Sequence, residues 1–149
     1  FTSISSFGTT SCWDIEAEDN AFAIMQSEHQ VTAMLHSSAT QWKHKFLLEM
    51  CFAEGYINLD GILSGTRSYA PEQMIVGRRE FEDVTFAMGK PKETKTCFEY
   101  DDSWKLEVEE FFHAIKGDGD IINGTIDDAY ETLDLVERIY SNSGFYSEI

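Results

Sequence analysis

The stretch from Gly124 to Tyr146, GTIDDAYETLDLVERIYSNSGFY, constrains this chain more than any other. Thr125 is a favourable helix N-cap, and Asp128 stands three residues on, a variant of the capping-box spacing. Asp127 and Asp128 put negative charge on the positive end of the helix dipole. Ile126, Ala129, Leu133, Val136 and Tyr140 then recur at spacings of three, four, three and four, which is one face of a helix. Glu131, Asp134, Glu137 and Arg138 fill most of the other face. Gly144 supplies a left-handed stop. The expectation is a capped helix that buries the stripe from Ile126 to Tyr140. A stripe of that length must lie on something, and the chain upstream reads mostly as strands.

Phe1 to Thr10 alternates loosely and reads as a lead-in strand. Ala21–Ser27 and Val31–Ser38 read as an antiparallel hairpin around Glu28-His29-Gln30. Trp42 to Cys51 alternates better, placing Trp42, His44, Phe46, Leu48 and Met50 on one strand face. Ala53-Glu54-Gly55 turns the chain into a returning strand through Tyr56, Ile57 and Leu59, which Asp60-Gly61 ends. Ile62 to Ala70 is irregular, and Glu72 to Arg79 is another short strand. Phe81 to Phe98, around a loop at Gly89-Lys90-Pro91, reads as strand or excursion. Asp101 to Lys116 is a second helix, capped by Asp102 or Ser103, with Trp104, Val108, Phe111 and Ile115 as its stripe and Phe112 widening it. Gly117 to Asp120 breaks it. Strands followed by helices make an α+β fold: a mainly antiparallel, open-faced sheet with helices packed on one face. The uncovered face is expected to serve association between copies.

The 149 residues suit one domain. A chain beginning inside a strand, without Met, is expected to be part of a longer protein. Net charge is −16, which opposes both a phosphate backbone and an anionic membrane surface, so neither nucleic acid nor membrane is an expected partner. Cys12, Cys51 and Cys97 are odd in number and form no C-x-x-C. They read as buried or half-buried free thiols in a reducing, cytoplasmic setting.

Two stretches carry a family resemblance. WKLEVEEFFHAIKGD followed by NGTIDDAYETLDLVERIYSNS resembles the closing helices of the glucose–fructose oxidoreductase / inositol dehydrogenase (Gfo/Idh/MocA) family. LEMCFAEGYINLDG resembles the family's L-E-I-x-G-x-x-G-x-L-x-L-D strand pair, with Phe52 where a Gly often stands. The hairpin turn Ser27-Glu28-His29-Gln30 also lacks the family's usual Gly. The resemblance spans most of residues 18 to 146 and implies the family's C-terminal α/β domain, of the dihydrodipicolinate-reductase-like C-terminal type. It further implies an NAD(P)-dependent oxidoreductase acting on a sugar, sugar derivative or polyol. Its NAD or NADP would sit on an N-terminal Rossmann domain, a partner of this one in the whole protein. The chain itself has no G-x-G-x-x-G, E-K-P or G-x-x-x-D-x-x-x-H motif, so no cofactor is expected to bind it, and alone it is expected to be inactive.

No catalytic residue can be named from the sequence. Trp42 and His44, on one strand face, are the candidate substrate-binding pair, since an aromatic face stacks on the C–H face of a sugar. The plainer reading of the same residues is strand packing or an interface. His29 reads as solvated and His113 as a helix-end cation. Arg67, Arg78 and Arg79 suit an anionic group or surface ion pairs. No spacing suits a metal. The expected role is therefore a substrate-binding and self-associating domain, a dimer or tetramer. The alternative is a non-catalytic self-associating module.

Overall fold

The computed structural model describes residues 1–80 and 91–145. The loop expected at Gly89-Lys90, and the strand or excursion from Phe81 onward to that loop, lie outside the described residues. The elements are β1 (Ser3–Thr9), β2 (Asn20–Gln26), β3 (Thr32–Ser38), β4 (Leu47–Phe52), β5 (Gly55–Asp60), β6 (Glu72–Arg78), β7 (Glu93–Phe98), α1 (Ser103–Lys116) and α2 (Ile126–Ser143). The class is α+β, as the order of elements implies. The strands form two antiparallel sheets rather than one, in the orders β1-β2-β3 and β4-β5-β6-β7. The chain divides into two compact units. One is Phe1–Trp42 together with Glu110 onward, and the other is Lys43–Glu109, inserted into it.

In the first unit, the period-two alternation of β2 sends Ala21, Ala23 and Met25 to one face and Phe22 and Ile24 to the other. The inner face holds the core: Ala23, Met25 and Ile139 are buried, with Ile4, Ala33 and Leu135 half-buried around them. Helix α2 packs on β1. Its start is as expected: Thr125 accepts from Asp128 N, and the Asp128 carboxylate accepts from Thr125 N at 2.9 Å. Its stop is Gly144 at φ 70°.

The face that α2 buries is a correction to the stripe. Ile126 is 86% exposed and Leu133 69%, and Ala129 and Val136 are exposed too. Leu135 and Ile139 make the contact instead, and Tyr140 is only half-buried. The reason lies in where the sheet begins. The Arg138 guanidinium donates to the Phe1 carbonyl, Ser6 Oγ donates to the Ile139 carbonyl at 2.6 Å, and Phe145 lies over Gly8. Residues 138 to 145 thus run alongside residues 1 to 8, and the first turns of α2 extend past the start of β1. A Cβ at Gly8 would come within 3.2 Å of the Phe145 side chain, so the small residue lets the helix end sit close.

Helix α1 starts after Asp102, one of the two expected caps, whose carbonyl accepts from Leu106 N at 2.9 Å; the side chain that holds the first turn is that of Asp101, which accepts from Ser103 N at 3.1 Å. It ends in a Schellman motif, with Gly117 at φ 74°, Gly117 N donating to Ala114 O and Asp118 N to His113 O. No residue of α1 is buried, so its expected stripe of Trp104, Val108, Phe111, Phe112 and Ile115 faces solvent. The Glu110 carboxylate holds the connection to α2 by accepting from Ile122 N at 2.6 Å and Asn123 N at 3.0 Å. Those two backbone bonds, Asn123's first, and the Asn123 amide hold its pKa below the ordinary Glu value.

In the second unit, the hairpin register Leu47↔Asp60 sets where β4 can begin. Gly61 follows at φ 76°, and a Cβ there would lie 1.9 Å from Pro71 O. Only glycine fits. The chain turns away at that point, so residues before Leu47 have no ladder partner beyond the single bond from Gly61 N to Phe46 O. The expected strand from Trp42 therefore starts five residues late. Leu48, Met50, Ile57, Leu59, Met74 and Val76 share one face of this sheet by register. On the other face the Tyr56 ring lies across Gly77, where a Cβ would come within 2.3 Å of it, and its hydroxyl donates to Glu93 at 2.5 Å. The three residues are register neighbours on β5, β6 and β7.

Candidate ligand-binding site at the end of the three-stranded sheet

The site in the first unit is built on one carboxylate. Asp19 directly precedes β2 and is 2% exposed. Its Oδ2 accepts from Ser11 N, Cys12 N and Trp13 N at 3.0, 2.6 and 3.2 Å, and its Oδ1 accepts from Asn20 Nδ2 at 2.9 Å. Three consecutive N–H groups aimed at one oxygen fold the Ser11–Trp13 loop around it. Burial pushes the Asp19 carboxyl up. The hydrogen bonds from Cys12, Asn20, Trp13 and Ser11 outweigh that effect, and its pKa lies below the ordinary Asp value. The backbone continues the sheet past the strand ends: Asp19 N donates to Thr9 O and Ala39 N to Asp19 O, both at 2.8 Å.

A cavity of about 170 Å³ opens beside this carboxylate, lined by Glu18, Asp19, Asn20, Ala21, Ser37, Ser38 and Ala39. Asn20, Thr40 and Ser38 are linked along its edge: Asn20 Nδ2 donates to Thr40 Oγ1 at 3.1 Å, and Ser38 and Thr40 share a hydroxyl bond of 3.1 Å. Tyr140 of α2 donates its hydroxyl to the Glu18 carboxylate, which orients that group. The Trp13 indole N–H donates to the Ala39 carbonyl at 3.2 Å. Trp42 packs edge-on against Trp13, with ring centroids 6.0 Å apart at 69°, and is 81% exposed.

The sequence-derived pair does not share a strand. Trp42 lies in the bend after β3, in the first unit, against Trp13. His44 lies before β4, in the second unit, with its ring centroid 4.8 Å from Tyr69. Its neighbour on the site is thus Trp13, not His44. Neither Trp13 nor Asp19 stands out by spacing; the one available signal was the Glu18-Asp19 pair just before a strand. His29 lies 3.5 Å from Glu28, and His113 Nδ1 lies 2.9 Å from Asp118, a side-chain contact that closes the end of α1. Among the described residues, no group of three or more His, Cys, Asp or Glu converges as a metal site requires. Cys12, Cys51 and Cys97 are free as expected, but exposed rather than buried: Cys51 and Cys97 point to the polar face of their sheet, and Cys12 sits on the Asp19 loop. No helix among the described residues is long and apolar enough to cross a membrane.

The chemistry of the lining is specific. Serine hydroxyls and an asparagine amide both donate and accept, and two carboxylates accept only. Such a set can exchange hydrogen bonds with hydroxyl groups and disfavours an anion. The volume is below the roughly 300–1,000 Å³ of drug-sized pockets, so only a compact group would fit. Comparison with known proteins adds no constraint: no family model, no curated protein and no solved structure matches this chain.

Proposed function

We propose that this chain is the substrate-binding and self-associating part of an NAD(P)-dependent oxidoreductase that acts on a sugar, a sugar derivative or a polyol. The observation that carries the reading is the lining of the 170 Å³ cavity, in which Glu18, Asn20, Ser37 and Ser38 converge; the Trp13–Trp42 pair is tied to its rim by the Trp13 bond to Ala39. A polyol bound there would donate to Glu18, exchange hydrogen bonds with Ser37, Ser38 and Asn20, and lay a C–H face toward an indole. In this reading, hydride chemistry belongs to a nicotinamide carried on a Rossmann domain elsewhere in the protein, and this chain supplies binding and orientation. Association would use the outer face of the β1-β2-β3 sheet, which carries Phe7, Phe22, Ile24 and Met34 exposed.

Ligand-observed NMR of this chain against monosaccharides, cyclic polyols and sugar acids tests the binding half. Neutral polyols should bind, sugar acids should not, and Asn20→Ala should abolish the signal. Binding that survives both Asn20→Ala and Trp42→Ala would refute the site. Titration of the whole encoded protein with NADH and NADPH tests the cofactor half, and no binding of either would overturn it. A second reading, a non-catalytic self-associating module, rests on the same exposed sheet face. It requires that chain to associate while no polyol binds.

A further inference from the structure

The outer face of the β1-β2-β3 sheet has a property that its apolar residues alone do not convey. In a chain with 38 charged residues, none of the outward positions of β1, β2 and β3 carries a charge. The register lines up two cross-strand rows in its centre, Ser5–Ile24–Met34 and Phe7–Phe22–His36. Met34 is 82% exposed and Phe7 68%. His36 is stacked on Phe22, with ring centroids 4.2 Å apart at 12°. It is the one titratable side chain on the face.

We propose that this face pairs with the same face of a second copy, and that His36 makes the pairing pH-dependent, the dimer forming when the imidazole is neutral and loosening when it is protonated. The proposal rests on the self-association in the functional reading above and adds its regulation. A second copy is the occupant that the charges favour. At a net charge of −16, two copies repel through most of their surface, and a charge-free patch is where that repulsion is weakest. The size of the face sets the strength. Seven-residue strands about 23 Å long, three abreast at about 4.8 Å, give a footprint of roughly 300 Å². That matches functional apolar patches and falls short of an obligate interface. The dimer is therefore weak and concentration-dependent, which is the regime in which one proton can decide it.

The sign follows from desolvation. Pairing would remove His36, at the β3 end of the Phe7–Phe22–His36 row, from water against an uncharged face, where a cation has no counter-ion. No acid or base on β1 or β2 faces it, and α2 lies on the opposite side of the sheet. Glu28 and His29 stand in the turn at the other end of β2, and Asp19 points to the inner side. The neutral ring costs far less to bury. Protonation thus opposes pairing, and because each copy contributes one His36, two protons act against every dimer.

Sedimentation velocity of this chain across a concentration series at pH 8.0 and pH 5.5 tests it, with far-UV circular dichroism as the folding control. The dimer dissociation constant should be at least tenfold larger at pH 5.5. General charge effects run the other way, because a chain with 27 acidic residues loses negative charge as pH falls and repels itself less. His36→Phe should dimerise equally at both pH values, and Met34→Asp should be a folded monomer at both. A wild-type dimer that is unchanged or tighter at pH 5.5, or a His36→Phe dimer that still loosens, refutes the switch while leaving the association standing. A folded wild-type monomer at every concentration refutes the association and the switch together, and leaves the polyol reading to its own NMR test.

Discussion

Replacing Ile139 by Ala should destabilise the first unit by about 2.5–3.5 kcal/mol. Ile139 is 8% exposed and packs among Ala23, Met25, Ile4, Ala33 and Leu135. The change removes three carbon atoms, worth about 0.8 kcal/mol each on transfer. A residual cavity adds to this, but Ile4, Ala33 and Leu135 are half-exposed and can move inward, so the cost falls in the lower half of the 2–5 kcal/mol range for such truncations. For a unit of this size, that lowers Tm by about 10–25 °C. The matching change Leu133→Ala, on the 69% exposed stripe, should stay within about 0.5 kcal/mol. Urea unfolding followed by helical ellipticity and by tryptophan fluorescence measures both variants, run at low micromolar concentration so that association contributes nothing. The two indoles Trp13 and Trp42 report on the same unit as α2. A Leu133→Ala cost equal to or above that of Ile139→Ala would mean that α2 buries its regular stripe, and the packing argued above would be wrong.

Thr125→Ala should cost about 1 kcal/mol by removing the hydroxyl that accepts from Asp128 N, with Thr125→Ser close to wild type; equal losses in both variants, measured by urea midpoint, would contradict the capping role. Acid should destabilise the chain. The carboxyls of Asp19, Asp101, Glu110 and Asp128 all lie below their ordinary values, so their contribution is complete above the unfolded value of about 4 and is lost as pH falls through the lower folded values. A urea midpoint that stays flat from pH 5 down to pH 2.5 would count against those hydrogen bonds. The Tyr56 hydroxyl runs in the opposite sense: its hydrogen bond to Glu93 and then burial raise its pKa, so its contribution is present below about pH 10 and lost as pH rises further. Gly77→Ala would push the Tyr56 ring off its seat at a cost of about 1–3 kcal/mol; an alkaline titration unchanged by that substitution would show that the ring is not held there.

What was legible in the residues is what depends on near neighbours. The ends of α2 follow from Thr125, Asp128 and Gly144, because a cap closes over three or four residues. Strands β1, β2, β3, β5 and β6 follow from alternation between turn residues. The face of α2 was not legible, because Leu135 and Ile139 form a second apolar stripe beside the more regular one. The choice between them is made by Ser6, Gly8 and Phe1, more than a hundred residues away. The start of β4 was hidden for a similar reason: alternation continues back to Trp42, but Gly61 removes the partner strand. Nor does any local period say that the strands among the described residues divide three and four. At the site, Trp42 was legible only as a strand-face partner of His44, and the bend that parts the two after β3 leaves no period in the sequence. Asp19 was not legible, because its role is to gather three backbone N–H groups from an aperiodic loop.

The insertion of Lys43–Glu109 between the two halves of the first unit has a consequence for the order in which the chain matures. During synthesis, β4, β5 and β6 pair with near neighbours in sequence and can form as soon as they leave the ribosome. The first sheet also completes its hairpins early, yet its inner face stays bare until Ile139 arrives, a wait of more than a hundred residues after Ser6. Closing contacts of that separation is slow, and the exposed apolar intermediate is prone to associate. The first sheet is thus sealed last, and truncation ahead of Leu135 and Ile139 leaves β1 to β3 without their cover.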